Sequence, residues 1–566
     1  MQDAFYMARQ TVLINYTKEF NKNTNELINS EGFSLFLDYC FDNVKIEYPE
    51  IYDFFILDME YDDFKKEMKK FLKLLAVLDL SDINHRFLTN IEYVEDLIEV
   101  CYNYWRSLQR YSFINVNSSA GYQSSNFIEA DSQFNHVIRN FYRTIQQRVQ
   151  GSNNRVFRQV QAGTNASFVL SKYDWNVPNI YAELTRIPFV KEIMLRTPLI
   201  IHPLSNKRNN VFIEVDYNPI NDLKGDRHDW ICYPAKVGNQ LMFCYFHQDF
   251  VKSMVALPNL FELASEMECS DRKPDAIMIF GNPENSEDTV YYHDIENSIW
   301  VGKVSGIDKH EYFGYVKKMM LTLHNLAVMD KGWLPIHGAM INLYLKDGSK
   351  KGIALMGDSG AGKSETIEAM TGVAKGEIIR QEIIFDDMGS FKVNDDGQIV
   401  ATGTEIGAFV RLDDLDKGTA YKDLDRAIFF SPEASNARVV TPAAPYHVVC
   451  KEHKVDMFLY ANNYTDARGV REVTTIEEAK PIFTEGKRFA LGTTQEKGLS
   501  TTYFANPFGP MQHQDVCNPI IDKIFNALFE TKIPLGEVYT CLGVPNKGND
   551  GIIESATVLL NKIKEL

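Results

Sequence analysis

The stretch Gly357-Asp358-Ser359-Gly360-Ala361-Gly362-Lys363-Ser364 fits the phosphate-binding loop pattern of Gly, four residues, Gly, Lys and then Ser or Thr. Glycines let successive backbone N–H groups converge on one anion, and the N-terminus of a following helix adds partial positive charge. The ammonium group of Lys363 would reach the outer phosphates, and the hydroxyl of Ser364 can hold a divalent metal ion. The sequence therefore predicts a site that handles phosphoryl groups.

An acidic pair follows this loop, in Ile383-Ile384-Phe385-Asp386-Asp387. Many enzymes that bind nucleoside triphosphates hold magnesium on an acidic residue at the end of such an apolar strand. Adjacent side chains on a strand point to opposite faces, so at most one of the two aspartates is expected to be a direct ligand. The alternative is an acidic turn at a strand end.

Two further candidates precede the loop. Lys317 and Lys318 open an apolar helical stretch that runs to residue 327. Adjacent residues lie about 100° apart on a helix, so both lysines can flank one site but not point the same way. His337 lies in the apolar run 332–340. Taken singly, the lysines are typical of solvated surface and the histidine of a hydrogen-bonded core residue.

The region around residues 147–166 is polar and carries arginines followed by a turn-prone Ala-Gly-Thr-Asn. Arginine grips carboxylates through a planar bidentate fork, so Arg158 and Asn165 are candidates for binding a small carboxylate. A plain surface strand and turn explains the segment equally well. A second basic cluster that could face a substrate comprises Arg196, His202, Lys207 and Arg208.

The bulk composition excludes several classes of function. The chain has 566 residues, 45% hydrophobic content and a net charge of −17, which argues against nucleic acid or an anionic membrane as a partner. Eight cysteines are scattered without a Cys-x-x-Cys pair, as in reduced cytosolic proteins. The first residues do not resemble a signal peptide, and no apolar run approaches membrane-spanning length, so we expect a cytoplasmic protein.

The elements that must position these residues can be read from hydrophobic periodicity. Residues 1–150 are predicted to be mostly helical, with helices near 64–78, 93–111 and 134–149. Residues 151–300 are predicted to form a mixed α/β substrate-binding lobe, with strands at 211–215 and 240–246. Residues 301–566 form the predicted phosphate lobe, with strands at 351–356, 404–412 and 455–460 and a helix starting at 365. The expected fold class is therefore α/β.

The order of these motifs resembles that of the phosphoenolpyruvate carboxykinases. The family's Tyr-x-Gly-x-x-Lys-Lys element, its metal-binding histidine, its loop, its Asp-Asp pair and its Asn-Thr-Arg-Val-x-x-Pro element have counterparts here in the same order. The matching residues are Tyr312, Gly314, Lys317, Lys318, His337, Gly357 to Ser364, Asp387, Asn436, Arg438, Val439 and Pro442. The resemblance covers about 200 residues, from Tyr312 to Pro510.

The resemblance implies a two-lobed carboxykinase-like fold with the loop in the C-terminal lobe, to which this chain adds the helical N-terminal region. It implies Mn²⁺ on Lys318, His337 and Asp387, and Mg²⁺ on Ser364. It also implies catalytic roles for Lys317, Lys363 and Arg438. The implied reaction is that of a carboxy-lyase, the reversible conversion of oxaloacetate and a phosphoryl donor into phosphoenolpyruvate and CO₂. A homo-oligomer is possible.

The chain also departs from that family. The Gly-Thr-Glu-Arg-Gly element, whose arginine helps to hold the nucleotide, is replaced at residues 492–498 by a segment without arginine. The donor therefore stays open between ATP, GTP and pyrophosphate. Two alternatives are kept. The loop continues into Glu365 as in the HPr kinase/phosphorylases, which favours a small-molecule or protein kinase. A catalytically silent relative is the other alternative.

Overall fold

The computed structural model describes residues 4–8, 11–16, 21–113, 124–151, 155–159, 165–208, 212–374, 376–412, 424–491, 497–544 and 550–566. The chain divides into two compact units, Met1–Arg155 and Val156–Leu566. Several residues of interest lie outside the described residues: 492–496 of the segment without arginine, 211 of the predicted strand 211–215, and 152–154 and 160–164 of the polar segment 147–166.

The first unit is mostly helical. Its helices are α1 (Thr24–Asn29), α2 (Glu31–Glu47), α3 (Pro49–Ile56), α4 (Tyr61–Val77), α5 (Ile91–Ser107) and α6 (Ser124–Gln150). Its strands, β1 (Phe5–Ala8), β2 (Thr11–Asn15) and β3 (Gln109–Phe113), form one sheet in that order. In α4, Phe64, Met68 and Phe71 are buried at spacings of three and four residues, because such positions share one face of a helix.

The helix predicted over 93–111 ends earlier than expected. Helix α5 stops at Ser107, and residues 109–113 pair in parallel with β2 as strand β3. The prediction was wrong at this end because aromatic residues such as Tyr111 suit a strand as well as a helix, and pairing with β2 decides between them.

The second unit begins with a ten-stranded sheet and its connections. The elements are β4 (Val156–Phe157), β5 (Ala166–Ser171), β6 (Phe189–Leu195), β7 (Leu199–Ile201), β8 (Ile213–Glu214), β9 (Trp230–Val237), β10 (Gln240–His247), α7 (Val251–Met254), β11 (Glu262–Leu263), α8 (Glu266–Asp271), β12 (Ala276–Asn282), β13 (Thr289–Asp294) and β14 (Ile299–Ser305). The sheet order is β4-β6-β9-β10-β12-β14-β13-β8, with β5 beside β6 and β11 beside β9. The predicted strand at 240–246 is confirmed, whereas only residues 213–214 of the one predicted at 211–215 form a described strand.

The same unit continues with α9 (Phe313–Asp330), β15 (Leu334–Leu345), β16 (Lys350–Met356), α10 (Lys363–Val373), β17 (Ile378–Phe385), β18 (Met388–Val393), β19 (Ile399–Gly403), β20 (Gly407–Arg411), β21 (Ile428–Phe430), β22 (Arg438–Pro442), α11 (Tyr446–Cys450), β23 (His453–Lys454), β24 (Met457–Asn462), β25 (Val470–Val473), α12 (Ile476–Glu485), β26 (Lys487–Leu491), β27 (Lys497–Thr501), α13 (Gln514–Glu530), β28 (Leu535–Tyr539) and α14 (Asp550–Glu565). A nine-stranded sheet has the order β23-β19-β18-β15-β16-β24-β28-β25, with β17 beside β15. Strands β20-β22-β21-β7 form a smaller sheet, and β26 pairs with β27. The described residues thus form a mixed α/β protein with several mixed sheets and a mostly helical region over residues 24–150.

Helix α9 lies between the two large sheets. It packs against β12 and β14 of the ten-stranded sheet and against β15 of the nine-stranded sheet. Nearly all of its side chains are therefore buried, including those of Met319, Met320 and Leu323. A helix with partners on opposite sides has no polar face, which explains why its sequence is apolar almost all round. This position carries Lys317 and Lys318 into the interior.

Strand β15 links the two halves of the nine-stranded sheet. His337 pairs with Met388 of β18, and Met340 pairs with Phe385 of β17. Asp386 and Asp387 therefore fall in the short link between β17 and β18. The N–H of Gly338 donates to the carbonyl oxygen of Asp387 at 3.0 Å. A Cβ at residue 338 would lie 2.3 Å from the carbonyl oxygen of Leu355, so this close approach of strands requires glycine.

Among the helices of the described residues, none has both the length and the apolar character needed to cross a membrane.

Candidate active site

The phosphate-binding loop connects β16 to α10, as the sequence predicts. Gly360 and Gly362 have φ values of +80° and +95°, in the left-handed region that favours glycine. The hydroxyl of Thr540 donates to the carbonyl oxygen of Ala361 at 2.8 Å, which fixes the loop against the end of β28. Lys363 is the first residue of α10, and its Nζ donates to the carbonyl oxygens of Gly357 and Asp358 at 2.8 and 3.3 Å.

The loop is also held from the side by Arg488 of β26. Its Nε lies 2.9 Å from Oδ2 of Asp358, and its Nη1 donates to the carbonyl oxygen of Ser359 at 2.9 Å. Asn463 donates to the carbonyl oxygen of Gly360 at 2.9 Å. These contacts satisfy the carbonyl oxygens of Ser359 and Gly360 and hold the loop in place.

A charged cluster surrounds Asp387. Nζ of Lys317 and Nζ of Lys318 lie 2.7 and 2.9 Å from its Oδ2. Nε2 of His337 lies 3.1 Å from its Oδ1. The other ring nitrogen of His337 lies 2.6 Å from the carbonyl oxygen of Ala505, so both ring nitrogens have an oxygen within hydrogen-bonding distance. The cluster therefore combines a carboxylate, an imidazole and two amines in one pocket.

The second aspartate has a different partner. The hydroxyl of Ser364 donates to Oδ1 of Asp386 at 3.0 Å, so Asp386 joins the loop while Asp387 joins the lysines. The two carboxylates thus have separate partners, and the expectation that at most one of them is a direct metal ligand stays a prediction. Because Asp386 and Asp387 are adjacent, the hydrogen bond from Ser364 to Asp386 also links the loop to the cluster around Asp387.

Burial and charge shift the pKa values in this cluster in opposite directions. Burial alone would raise the pKa of Asp387, but the charges of Lys317 and Lys318 and the hydrogen bond from His337 hold it well below its usual value. Burial likewise opposes the charged form of Lys317, yet Asp387 and Glu405 raise its pKa above its ordinary value. The pKa of Lys318 is lowered, chiefly by burial and also by the charge of Lys317, against the opposing effect of Asp387.

Glu405 is a member of the cluster that the sequence did not single out. Its Oε1 lies 3.0 Å from Nζ of Lys317, and its side chain is 5% exposed. Burial raises the pKa of Glu405 to about 6, although Lys317 opposes the shift. A single carboxylate within the apolar segment 404–412 was the available signal, because a buried acidic residue needs a cation beside it.

Arg438 and Lys317 share an aromatic partner. The guanidinium of Arg438 lies 5.4 Å, and Nζ of Lys317 5.6 Å, from the ring centroid of Phe409 in β20. Nη2 of Arg438 donates to Oδ1 of Asn436 at 2.8 Å. Its Nε is buried and has no hydrogen-bond partner among the described groups, a costly state that an anionic ligand would relieve.

The two residues proposed for substrate binding lie apart from these contacts. Arg158 donates through Nε to Oδ1 of Asn259 and through Nη2 to the carbonyl oxygen of Pro258, at 2.8 and 2.7 Å. Asn165 is exposed, and its carbonyl oxygen accepts from the N–H of Arg196. None of these partners belongs to the cluster around Asp387, and the role of both residues in substrate binding stays a prediction.

Arg208, from the second basic cluster, lies beside the site instead. Its guanidinium is 5.7 Å from the ring centroid of Phe508, and Nζ of Lys318 is 4.5 Å from the same centroid. The ring of His337 meets that of Phe508 edge to face, with 6.2 Å between centroids. Burial lowers the pKa of Arg208, and Tyr315 and Tyr312 partly offset this effect. The ring of Phe508 therefore contacts Arg208 as well as Lys318 and His337 of the Asp387 cluster.

The donor atoms around Asp387 suit a metal ion only if Lys318 takes part. Among the described residues, no group of three or more His, Cys, Asp and Glu side chains is arranged to hold a metal. With Lys318 included, its Nζ lies 2.9 Å from Oδ2 of Asp387, and Nε2 of His337 lies 3.1 Å from Oδ1. Two ligands at about 2.1 Å and at right angles around one ion are roughly 3 Å apart. The two measured distances are those of an ion pair and a hydrogen bond, and a metal-binding role for Lys318, His337 and Asp387 stays a prediction.

No protein-family model matches the sequence, and no curated protein matches it significantly.

Proposed function

We propose that this protein is a phosphoenolpyruvate carboxykinase-like enzyme. It would convert oxaloacetate and a phosphoryl donor into phosphoenolpyruvate and CO₂ in a reversible, metal-dependent reaction. One observation carries the proposal: the donor atoms of Lys318, His337 and Asp387 converge beside a phosphate-binding loop. A loop that only binds a nucleotide does not need this donor set beside it. An enzyme that couples the decarboxylation of a substrate to phosphoryl transfer does need it, to hold the metal ion that polarises the substrate.

The proposed fold is the two-lobed carboxykinase-like arrangement. The ten-stranded sheet would form the substrate lobe, and the nine-stranded sheet with its loop would form the phosphate lobe. Helix α9 supports this assignment, since it packs against both sheets and begins with the residues of the cluster. Ligands commonly bind where two such layers meet.

Two metal positions follow from the side chains. Lys318, His337 and Asp387 would hold Mn²⁺, and Ser364 would hold Mg²⁺ beside the loop. The lowered pKa of Lys318 agrees with a neutral amine that can donate a lone pair. When bound, these ions would polarise the substrate and neutralise charge on the phosphate oxygens.

The chain's own residues then position the reacting groups. The bond between the methylene carbon of oxaloacetate and its departing carboxylate breaks, CO₂ leaves, and the electron pair remains as the enolate of pyruvate. The enolate oxygen attacks the transferable phosphorus as the bond to the leaving oxygen breaks. Lys363 and the loop N–H groups hold the phosphoryl group. Lys317 and Arg438, on the ring of Phe409, compensate the charge that moves between the entering and leaving oxygens.

Arg208 is also a candidate for binding the substrate carboxylate. Its guanidinium and the Lys318 amine of the proposed metal set both lie near the ring of Phe508, which suits a small dicarboxylate that reaches from the metal to a guanidinium. Arg158 donates to Asn259 and Pro258, outside the cluster around Asp387. The nearness of Arg208 to Phe508 therefore makes it a second candidate for this role beside Arg158.

The test is a direct assay of products. Purified protein with Mn²⁺, Mg²⁺ and oxaloacetate is incubated with ATP, GTP, ITP or pyrophosphate in turn, and phosphoenolpyruvate and CO₂ are measured. We expect stoichiometric formation of both products with at least one donor. Absence of phosphoenolpyruvate with every donor would refute the proposal. Transfer of phosphate to a polypeptide without any dependence on oxaloacetate would instead identify a protein kinase.

A further inference from the structure

The helical first unit contains a cavity of about 130 Å³. Its walls come from α1, α2, α4, α5 and α6 together with residues of β1 and β2. Its lining includes Phe36, Cys40, Leu97, Cys101, Trp105 and Phe141. The cavity thus lies in the middle of this unit's own hydrophobic core.

The lining is almost entirely apolar. Among the described residues that line the cavity, no side chain is charged at neutral pH. The hydroxyl of Ser30 is already satisfied, since it donates to the carbonyl oxygen of Leu27 and accepts from the N–H of Phe33. The hydroxyl of Tyr142 donates to Glu99. An ionised ligand would be desolvated here without compensation, so the site selects an uncharged molecule.

The aromatic walls support each other and resist collapse. The rings of Phe36 and Trp105 meet edge to face with 5.4 Å between centroids, and those of Phe33 and Phe141 do so at 6.0 Å. Protein interiors are close-packed, with few voids larger than a water molecule. Apolar cavities of about 150 Å³ stay dry and take up benzene. A cavity of this size and lining therefore has the dimensions of a site for one small ring.

We propose that the N-terminal unit has a binding site for a small uncharged apolar molecule, the size of one aromatic ring or a short alkyl chain. The site lies within the first unit and does not depend on the proposed carboxykinase reaction. The apolar side chains of Leu97 and Phe141 would contact the ligand directly, in place of the missing neighbours that close packing normally supplies.

Benzene serves as the probe, with benzoate as the charged molecule of similar shape. The full chain is titrated with each by calorimetry, and hydrogen exchange of peptides from residues 24–150 is followed with and without benzene. We expect saturable binding of benzene and slower exchange in α2, α5 and α6, with no binding of benzoate. Failure to bind benzene, or equal binding of benzoate, would overturn the proposal.

Variants locate the binding to this cavity. Cys40→Leu and Leu97→Phe each add volume from a different wall, and each is expected to weaken benzene binding at least tenfold. Val77→Leu adds volume on the exposed side of α4 and should bind benzene like the unmodified chain. Two cavity-filling variants are used so that the test can still be carried out if one of them does not fold. If the folded filling variants bind benzene as tightly as Val77→Leu, the ligand is held elsewhere and the proposal fails.

Discussion

Lys317 and Lys318 are neighbours in sequence, and both ammonium groups lie within hydrogen-bonding distance of a single carboxylate oxygen, Oδ2 of Asp387. The side chains leave α9 in different directions, as expected on a helix, but their length lets them converge. Two buried cations this close repel each other, and Asp387 with Glu405 offsets that repulsion. Opposite charges therefore stabilise the pocket. Removing either a carboxylate or an ammonium group should destabilise it.

Asp387→Asn should destabilise the protein as well as remove activity. The neutral amide leaves Lys317 and Lys318 facing each other without their main counter-charge, and breaking a buried pair of this kind costs about 3–5 kcal/mol. The free energy of unfolding is measured by urea denaturation, and Mn²⁺ binding by calorimetry. We expect both to fall.

A matched control is Asp395→Asn, which makes the same change in the exposed turn between β18 and β19. That variant should keep its stability and Mn²⁺ affinity. Combining Asp387→Asn with Lys318→Met should restore part of the stability without restoring Mn²⁺ binding, because one of the repelling cations is gone. Unchanged stability of the single variant would show that Asp387 does not neutralise the lysines.

Lys363→Ala should abolish phosphoryl transfer while the fold persists. The ammonium group now donates to the carbonyl oxygens of Gly357 and Asp358, and we expect it to move to the phosphates when a donor binds. Losing a cation that stabilises the transition state typically lowers kcat by about 10²–10³-fold. Lys346→Ala, on an exposed position of the same lobe, is the control. A Lys363→Ala enzyme with the control's kcat would mean that the loop does not bind the transferred group.

The loop, the acidic pair and the apolar helix were predictable because their signals are local. A strand, a glycine-rich turn and a helix follow one another within residues 350–373, and the structure confirms each element. The acidic pair after Phe385 was likewise predictable, because it directly follows one short apolar run of the sequence. Hydrophobic periodicity and turn chemistry over such windows depend little on the rest of the chain.

The partners of these residues were not predictable, because sequence separation hides them. Phe508 lies far along the chain from Lys318, yet its ring faces that lysine's ammonium group. Glu405 reaches Lys317 only because β20 is brought beside the start of α9. For the same reason the sequence could not choose between Arg158 and Arg208, since both are basic residues near strands and only tertiary contacts separate them.

The two arginines can be separated by steady-state kinetics. Arg208→Lys should raise the KM for oxaloacetate at least tenfold and leave the KM for the phosphoryl donor nearly unchanged, because lysine lacks the bidentate fork. Arg158→Lys is the matched control, and its loss of hydrogen bonds to Asn259 and Pro258 should lower stability by about 1–2 kcal/mol with little effect on KM. The reverse pattern would return the carboxylate-binding role to Arg158.

The stability of the second unit should fall as the pH drops below 6.5, and His324 of α9 should contribute to this. Its side chain is 2% exposed, and burial lowers the pKa of His324 to about 4, although the hydrogen bond with Asn325 opposes the shift. Between pH 6.5 and 4 the unfolded chain binds this proton and the folded chain does not, so protonation favours unfolding. This loss of stability is absent well above pH 6.5 and grows to roughly 3 kcal/mol by pH 4.

The measurement is the free energy of unfolding at pH 7 and pH 5, for the unmodified chain and for His324→Gln. The glutamine variant cannot titrate, so its stability should change less between the two pH values. It should still change somewhat, because burial also lowers the pKa of His310 and His453. His228→Gln removes an exposed histidine and should keep the full pH dependence. If His324→Gln and His228→Gln lose stability equally on acidification, His324 is not held neutral in the folded protein.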